Sequence, residues 1–106
     1  GCVVQRIENT TSNGVPDLMV ITQDAVFLIE SKFETTAVRA EQKVFQINVN
    51  NISDTVVCVT LSAYPKTKRL VVTNYTVDSI RGDANELTFT LDNEGFKEFY
   101  NYFLKA

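Results

Sequence analysis

Two β-rich runs, at residues 18–22 and 25–33, are separated by only two residues, Gln23 and Asp24. So short a connection joins antiparallel neighbours and predicts a tight β-hairpin, although its turn is not of the favoured Asn-Gly type. A two-residue loop also fixes which residues face one another across the hairpin. The opposed pairs are then Thr22 with Ala25, Met19 with Leu28, and Asp17 with Glu30.

Four further runs have the β-branched or alternating patterns of strands, namely residues 2–8, 55–61, 70–73 and 87–91. The turn between the second and third of these contains Pro65 and the cations Lys66, Lys68 and Arg69. With two helical segments added, the predicted element order is β, β, β, α, β, β, β, α. Such an order describes a mixed sheet with helices packed against it.

Residues 37–50 place apolar side chains at the spacing of an α-helix. Arg39, Lys43 and Gln46 are predicted to share its opposite, polar face. Gln42 lies beside the apolar residues, which indicates a half-buried amide that needs a hydrogen-bond partner. The predicted apolar face consists of Val38, Ala40, Val44, Phe45, Ile47 and Val49.

Both predicted helices have polar residues suited to capping. Thr35 or Thr36 precedes the first helix, and Asp92 or Asn93 precedes a second, C-terminal helix. We expect the apolar stripe of the second helix to pack in the core, with a dimer contact as the other interpretation. The stripe consists of Phe96, Phe99, Tyr100, Phe103 and Leu104.

Length and composition fit one domain. At 106 residues, with 44% hydrophobic and 22% charged residues, the chain has room for a single core and matches ordinary globular proteins. We therefore expect one α/β or α+β domain over residues 1–106, with a mixed β-sheet flanked by helices. No apolar run approaches the roughly 20 residues of a membrane-spanning helix, so no membrane partner is expected.

Missing and rare residue types limit the possible chemistry. The sequence contains no histidine, which excludes serine-histidine triads, histidine-ligated metal nucleases and imidazole bases. Cys2 and Cys58 are too few and too far apart for a zinc site, and they favour a reducing, intracellular location in the cytoplasm of the host or producing cell. The net charge of −3 disfavours nucleic acid held by bulk electrostatics, so a nucleic-acid partner requires local cations.

The predicted hairpin brings two carboxylates together. Asp17 and Glu30 have Cβ atoms about 4.5 to 5.5 Å apart if they are opposed, and the two-residue period puts Lys32 on the same face. Two carboxylates at this distance repel unless a cation intervenes. Their oxygens, with the backbone carbonyl of Ser31, are hard ligands that suit Mg²⁺ or Mn²⁺. Lys32 would then steady the attacking water or the charge on phosphorus in phosphodiester hydrolysis.

Two other interpretations remain open for these residues. Pro16 and Asp17 can form a plain turn, with Glu30 and Lys32 as solvated charges that pair with each other. A three-residue hairpin loop would instead turn Asp17 and Glu30 to different sides of the sheet, as in an unrelated acidic domain. The hairpin register therefore decides whether a metal site can form.

Three short motifs resemble one group of nucleases. Residues 14–18 read Gly-Val-Pro-Asp-Leu, residues 29–32 read Ile-Glu-Ser-Lys, and Gln42 and Lys43 follow on the predicted helix. These motifs resemble the PD-(D/E)xK nuclease superfamily and, within it, the virus-type replication-repair nuclease (VRR-NUC) family. The resemblance covers about residues 2–62, and residues 14–43 are its specific part.

The resemblance implies a restriction-endonuclease-like fold and a metal-dependent endonuclease. It implies that Asp17 and Glu30 bind Mg²⁺ or Mn²⁺, that Lys32 is catalytic, and that Gln42 supports the catalytic site from the helix. Stand-alone members, often from phages or other mobile elements, are similar to Holliday junction resolvases and other structure-selective endonucleases that act as homodimers. The expected partners are therefore branched DNA and a second copy of the chain.

Further residues bear on these expectations. Arg39 and Lys43, one helical turn apart, are candidate contacts to phosphates flanking the scissile bond, with a solvated helix face as the other interpretation. The family commonly carries another acidic residue on a helix ahead of the first strand. Glu8 is the only acid upstream of Asp17, and its place at a strand end makes it a poor substitute. The alternative hypothesis is a non-catalytic DNA- or protein-binding domain on the same scaffold.

Overall fold

A mixed β-sheet is the frame of this protein. The computed structural model describes residues 2–7, 16–34, 36–80, 82 and 84–104, without the side chains of 103 and 104. Within these residues, six strands form the sheet, and their order in the sheet is their order in the chain. The strands are β1 (Val3–Arg6), β2 (Leu18–Ile21), β3 (Val26–Phe33), β4 (Val56–Tyr64), β5 (Arg69–Asn74) and β6 (Asn85–Thr90). The helices are α1 (Ala40–Ile52) and α2 (Asn93–Phe99). The predicted α+β organisation and element order are confirmed.

Strands β3 and β4 are parallel, whereas every other neighbouring pair of strands is antiparallel. A parallel pair needs a crossover connection, and α1 provides it by passing over one face of the sheet. The C-terminal ends of β3 and β4 and the first turn of α1 therefore lie at the same end of the sheet. The predicted site residues belong to this end.

The β2-β3 hairpin has the predicted register. Met19 pairs with Leu28, and the Thr22 N–H donates to the Ala25 carbonyl at 2.8 Å across a two-residue loop. The Thr22 hydroxyl accepts the N–H of Ala25 at 3.0 Å, so a side chain stabilises a turn that has no glycine. The three-residue loop is excluded, because it would shift every pair by one residue.

The sheet face away from α1 carries the apolar core. Helix α2 covers part of this face, where Phe99 packs edge-to-face against Phe89 with ring centroids 5.8 Å apart. The helix approaches β6 so closely at Gly95 that a Cβ atom there would lie 1.7 Å from the Thr90 carbonyl oxygen. The buried core residues are Val20, Ile29, Val59, Leu70, Val72 and Phe89.

Helix α1 begins later than predicted. Its N-cap is Arg39, not Thr36, and Thr35 lies outside the described residues. Gln42 is the physical reason, because its side-chain oxygen reaches back and accepts the Arg39 N–H at 2.9 Å, as in one half of a capping box. The helix therefore begins at Ala40, three residues before Lys43.

The buried face of α1 also differs from the predicted one. Val44, placed on the apolar face, is 56% exposed, and Ala40 is exposed too. Gln46, placed on the polar face, is 1% exposed. The sheet beneath the helix presents Glu30 and Thr60, whose polar groups need partners, so amides pack there in preference to aliphatic side chains.

The C-terminal helix is shorter than its apolar stripe. Helix α2 ends at Phe99, and a π-helical turn spans Tyr100–Leu104. Asp92 caps α2 as predicted, since its carboxylate accepts a backbone N–H of the first turn at 2.8 Å. Phe96 and Tyr100 are exposed, so the expectation that they pack in the core is wrong. Of the α2 aromatic residues, Phe99 packs its ring against Phe89 of β6.

Candidate metal and catalytic site

Glu30 and Lys32 lie on the α1 face of the sheet near the C-terminal end of β3. They are two residues apart in one strand and therefore point to the same side. Lys32 Nζ lies 3.5 Å from Glu30 Oε1, and the two side chains are only 12% and 5% exposed. The interpretation of Glu30 and Lys32 as solvated charges is therefore wrong, because both side chains are shielded from water. Its other part, that the two side chains pair with each other, is confirmed.

Asp17 reaches this site from the neighbouring strand. Leu18 pairs with Ile29 in the strand register, and the Asp17 N–H also donates to the Ile29 carbonyl, at 3.0 Å. Two residues at the start of β2 therefore lie opposite one residue of β3, as in a β-bulge. The predicted direct opposition of Asp17 and Glu30 is therefore corrected. Asp17 Oδ2 accepts the Ser31 N–H at 3.0 Å. This side-chain hydrogen bond replaces the backbone hydrogen bond that the Ser31 N–H would make in a regular hairpin.

The electrostatics of the site centre on Glu30. Burial raises the pKa of its carboxyl above the ordinary value, and the negative charge of Asp17 raises it further. Lys32 and Arg39 act in the opposite direction without outweighing these two causes. The two carboxylates thus repel each other in a place that water reaches poorly.

Gln42 connects α1 to the Glu30 carboxylate. Its amide nitrogen donates to Glu30 Oε1, while its amide oxygen accepts the Arg39 N–H. Gln42 is 4% exposed, so the prediction of an amide that needs a partner is confirmed. Because both ends of the amide are bonded, the side chain has a fixed orientation and fixes that of Glu30 Oε1.

The second oxygen of Glu30 has no such partner. Within the described part of the chain, Glu30 Oε2 and Gln46 Oε1 are the buried side-chain polar atoms without a hydrogen bond. Leaving a buried acceptor unbonded costs about 1–3 kcal/mol, and more for a charged group. A ligand that supplies positive charge at Oε2 would remove this cost.

The unbonded Glu30 oxygen and the neighbouring Asp17 carboxylate fit a divalent cation. A free carboxylate oxygen at Glu30, a second carboxylate at Asp17 and the carbonyl of Ser31 are oxygen ligands of the kind that Mg²⁺ takes. The described residues contain no group of three His, Cys, Asp or Glu side chains that could hold a metal. Mg²⁺ commonly binds through one or two carboxylates, with water and substrate phosphate as the other ligands.

A row of amides on α1 extends the site along β4. Gln46 Nε2 donates to the Thr60 hydroxyl at 2.9 Å, and Asn50 bonds both the N–H and the carbonyl of Cys58, at 2.7 and 3.0 Å. Together with Gln42, these amides recur every four residues and therefore lie on one helix face. Gln46 was predicted on the solvent-facing side of the helix, and Asn50 was not predicted as part of the site. Their regular spacing was the available signal.

The two cations predicted to contact DNA are both exposed. Arg39 lies at the start of α1 and pairs with Glu41 at 3.4 Å. Lys43 lies one turn further along, with Nζ 5.5 Å from the centroid of the Tyr75 ring. Neither cation is buried in an internal ion pair, so both side chains are accessible at the end of the sheet that holds Glu30.

Comparison with known proteins found no family model that matches the chain and no curated protein that matches its sequence. In the described ranges, no helix is long and apolar enough to cross a membrane. Glu8, Gly14 and Val15 lie outside the residues that the structure describes.

Proposed function

We propose that this protein is a divalent-metal-dependent endonuclease that hydrolyses DNA. The buried Glu30 carboxylate carries the proposal: it is desolvated, it lies near the charge of Asp17, and one of its oxygens has no partner. An acid with a purely structural role normally has its buried oxygens bonded. An acid that binds a cation keeps one oxygen available for it.

The chain's own residues have distinct roles in the proposed reaction. Bound Mg²⁺ or Mn²⁺ supplies positive charge and a water of lowered pKa. Asp17 and Glu30, with the Ser31 carbonyl, would hold the ion. The Lys32 ammonium stabilises the negative charge that builds up on the phosphate as water attacks phosphorus and the bond to the leaving oxygen breaks.

Gln42 acts as a positioning residue in this proposal. Its two hydrogen bonds hold Glu30 Oε1 in place, which leaves Oε2 for the ion. We expect Gln42→Ala to raise the Mn²⁺ concentration needed for half-maximal cleavage more than it lowers the maximal rate. A merely structural role would leave this concentration unchanged.

The proposal includes a restriction-endonuclease-like fold, supported by the β2-β3 hairpin, the α1 crossover and the parallel β4. It includes Arg39 and Lys43 as contacts to DNA phosphates, because both are exposed cations close to the acids. It also includes a homodimer, for which the exposed Phe96 and Tyr100 offer apolar surface. Free thiols at its cysteines agree with an intracellular location.

A cleavage assay tests the proposed activity. Purified protein is incubated with a four-way junction, a flap and a linear duplex, with Mn²⁺ or with excess chelator. We expect Mn²⁺-dependent cutting of the branched substrates. Asp17→Asn and Lys32→Ala should each lower the rate by about a thousandfold, or roughly 4 kcal/mol of barrier. Lys97→Ala, which removes an exposed lysine of α2, is the matched control and should keep full activity.

Circular dichroism on each variant establishes that the fold is retained. Cutting that persists undiminished in chelator, or that Asp17→Asn leaves unchanged, contradicts the proposal. Binding of branched DNA without metal-dependent cutting would instead support the alternative, a non-catalytic binding domain on the same scaffold.

A further inference from the structure

A polar groove opens beside the proposed metal site on the same face of the sheet. Helix α1 packs against β4 and leaves the adjoining face of β5 and β6 open. Cavities of about 240 and 410 Å³ lie there. The two cavities adjoin, since both are lined by Lys43, Thr73, Tyr75 and Glu86, and we refer to them together as the groove.

The groove is continuous with the acidic site. Ser62 lines the groove and is the cross-strand partner of Lys32 on the same face. Neighbouring strands are about 4.8 Å apart, so the groove begins roughly one strand spacing from the proposed catalytic lysine. Thr60, which Gln46 holds by a hydrogen bond, forms the next part of the floor.

The lining of the groove combines a cation, an aromatic ring and hydroxyl groups. Lys43 and Tyr75 stand together on one side, and Glu86 accepts the Thr73 hydroxyl at 3.3 Å on the other. The Tyr75 phenol, whose pKa is raised by burial and by the charge of Glu86, is a hydrogen-bond donor. The hydroxyl-bearing residues that line the groove are Thr36, Thr60, Ser62, Tyr64, Thr73, Tyr75 and Ser79.

We infer that this groove binds one unpaired nucleotide of the DNA substrate, next to the scissile phosphate. The base stacks on the Tyr75 ring in the place that the Lys43 ammonium occupies, 5.5 Å from the ring centroid, and Lys43 moves to the phosphate. An aromatic ring beside a cation is the combination that recognises single strands. Glu86 repels phosphate but accepts N–H groups, so the base edge faces Glu86 while the backbone stays on the Lys43 side. The inference rests on the proposed nuclease function and names its substrate class: DNA with unpaired nucleotides at a branch.

The groove is large enough for an unpaired nucleotide but too small for a DNA duplex. Its larger cavity, about 410 Å³, is in the range of pockets that hold small molecules, whereas a duplex presents its bases stacked and paired inside the helix. Only an unpaired nucleotide can bring its base face against Tyr75. Duplex DNA would therefore contact the exposed cations but leave the groove empty.

A binding measurement without divalent metal tests the inference separately from cleavage. The probe is a five-nucleotide single strand with a central 2-aminopurine, titrated in buffer containing chelator. We expect binding with quenched 2-aminopurine fluorescence. Lys43→Gln and Tyr75→Leu should each weaken it about tenfold. Tyr75→Phe keeps the ring and should stay within about twofold.

Lys97→Gln is the matched control for lost charge, because Lys97 is an exposed lysine of α2, which packs on the opposite face of the sheet. The inference is overturned if Lys97→Gln and Lys43→Gln weaken binding equally, if a blunt duplex binds as tightly as the single strand, or if the 2-aminopurine fluorescence does not change. Lys43→Gln alters an exposed side chain and decides the question if Tyr75→Leu does not fold.

The two failures are distinguishable. If the wild type cuts branched DNA with Mn²⁺ but does not bind the 2-aminopurine probe, the groove assignment is wrong and the nuclease stands. If the probe binds with the expected pattern of variants and no metal-dependent cutting occurs, the nuclease proposal is wrong and the groove is a single-strand binding site.

Discussion

Replacing Glu30 by glutamine tests the electrostatic description of the buried site. The free energy of unfolding varies with pH wherever the folded and unfolded states bind different numbers of protons. Burial and Asp17 raise the pKa of Glu30 in the folded state above the ordinary 4.5. Between these two pKa values the folded state still holds a proton that the unfolded state has released. The wild type therefore loses stability as the pH rises through this window, and Glu30→Gln has no such loss.

The size of the effect follows from one titrating group. The difference in unfolding free energy changes by at most about 1.4 kcal/mol per pH unit. A chain of 106 residues has an unfolding entropy of roughly 0.22 kcal/mol/K near its midpoint. The Tm of Glu30→Gln relative to the wild type should therefore rise by up to about 6 °C per pH unit above pH 4.5, until the folded-state pKa is passed.

Thermal unfolding followed by circular dichroism, in chelator and at half-unit steps from about pH 4 to 8, measures this difference. Glu94→Gln is the matched control, because the Glu94 side chain is 79% exposed, and its Tm should follow that of the wild type at every pH. A Tm difference that stays constant with pH refutes the reasoning. If the Tm of the wild type rose relative to that of Glu30→Gln as the pH increased, the ion pair with Lys32 would outweigh the effects of burial and Asp17.

Three further changes test the ligand and the amide row. Mn²⁺ at about a hundred times its Kd should raise the wild-type Tm by roughly 12 °C in a thermal-shift assay and raise that of Asp17→Asn far less; equal rises exclude Asp17 as a ligand. Asn50→Ala removes three hydrogen bonds and should cost about 3 kcal/mol in urea unfolding, where a cost near zero contradicts the assigned contacts. Thr60→Val should lower the free energy of unfolding by about 1–3 kcal/mol, because it leaves the Gln46 amide without its partner. Adding Gln46→Leu should recover most of that loss, and additive losses in the double variant would contradict this expectation.

The β2-β3 hairpin could be predicted because its information is local. A two-residue loop fixes the register, and Met19 pairs with Leu28 as expected. The end of the hairpin could not be predicted in the same way. There Asp17 bonds the Ser31 N–H with its side chain, and this competition between a carboxylate and the backbone ladder interrupts the regular pairing.

Helix α1 could be located but not oriented. Its apolar spacing predicted Val44 inside and Gln46 outside, and the structure has the reverse. Orientation depended on the side chains that β3 and β4 present to the helix, Glu30 and Thr60, which are 12 and 14 residues from their amide partners. Hydropathy within one segment contains no information about such partners.

The groove beside the site was beyond prediction for a similar reason. It depends on the registers of β4 with β5 and of β5 with β6, which bring Ser62, Thr73 and Glu86 to one face. The position of Tyr75 beside Lys43 depends on them as well. No local pattern links these residues, because the strands that carry them pair only in the folded sheet.

The central claim is that a divalent cation binds at the carboxylates of Asp17 and Glu30. Anomalous diffraction from Mn²⁺-soaked crystals tests it most directly, with Glu30→Gln crystals as the comparison. We expect a peak within coordination distance of Glu30 Oε2 and of Asp17 in the wild type, and no peak there in the variant. The absence of a wild-type peak at these carboxylates, or a peak that the variant retains unchanged, would contradict the account.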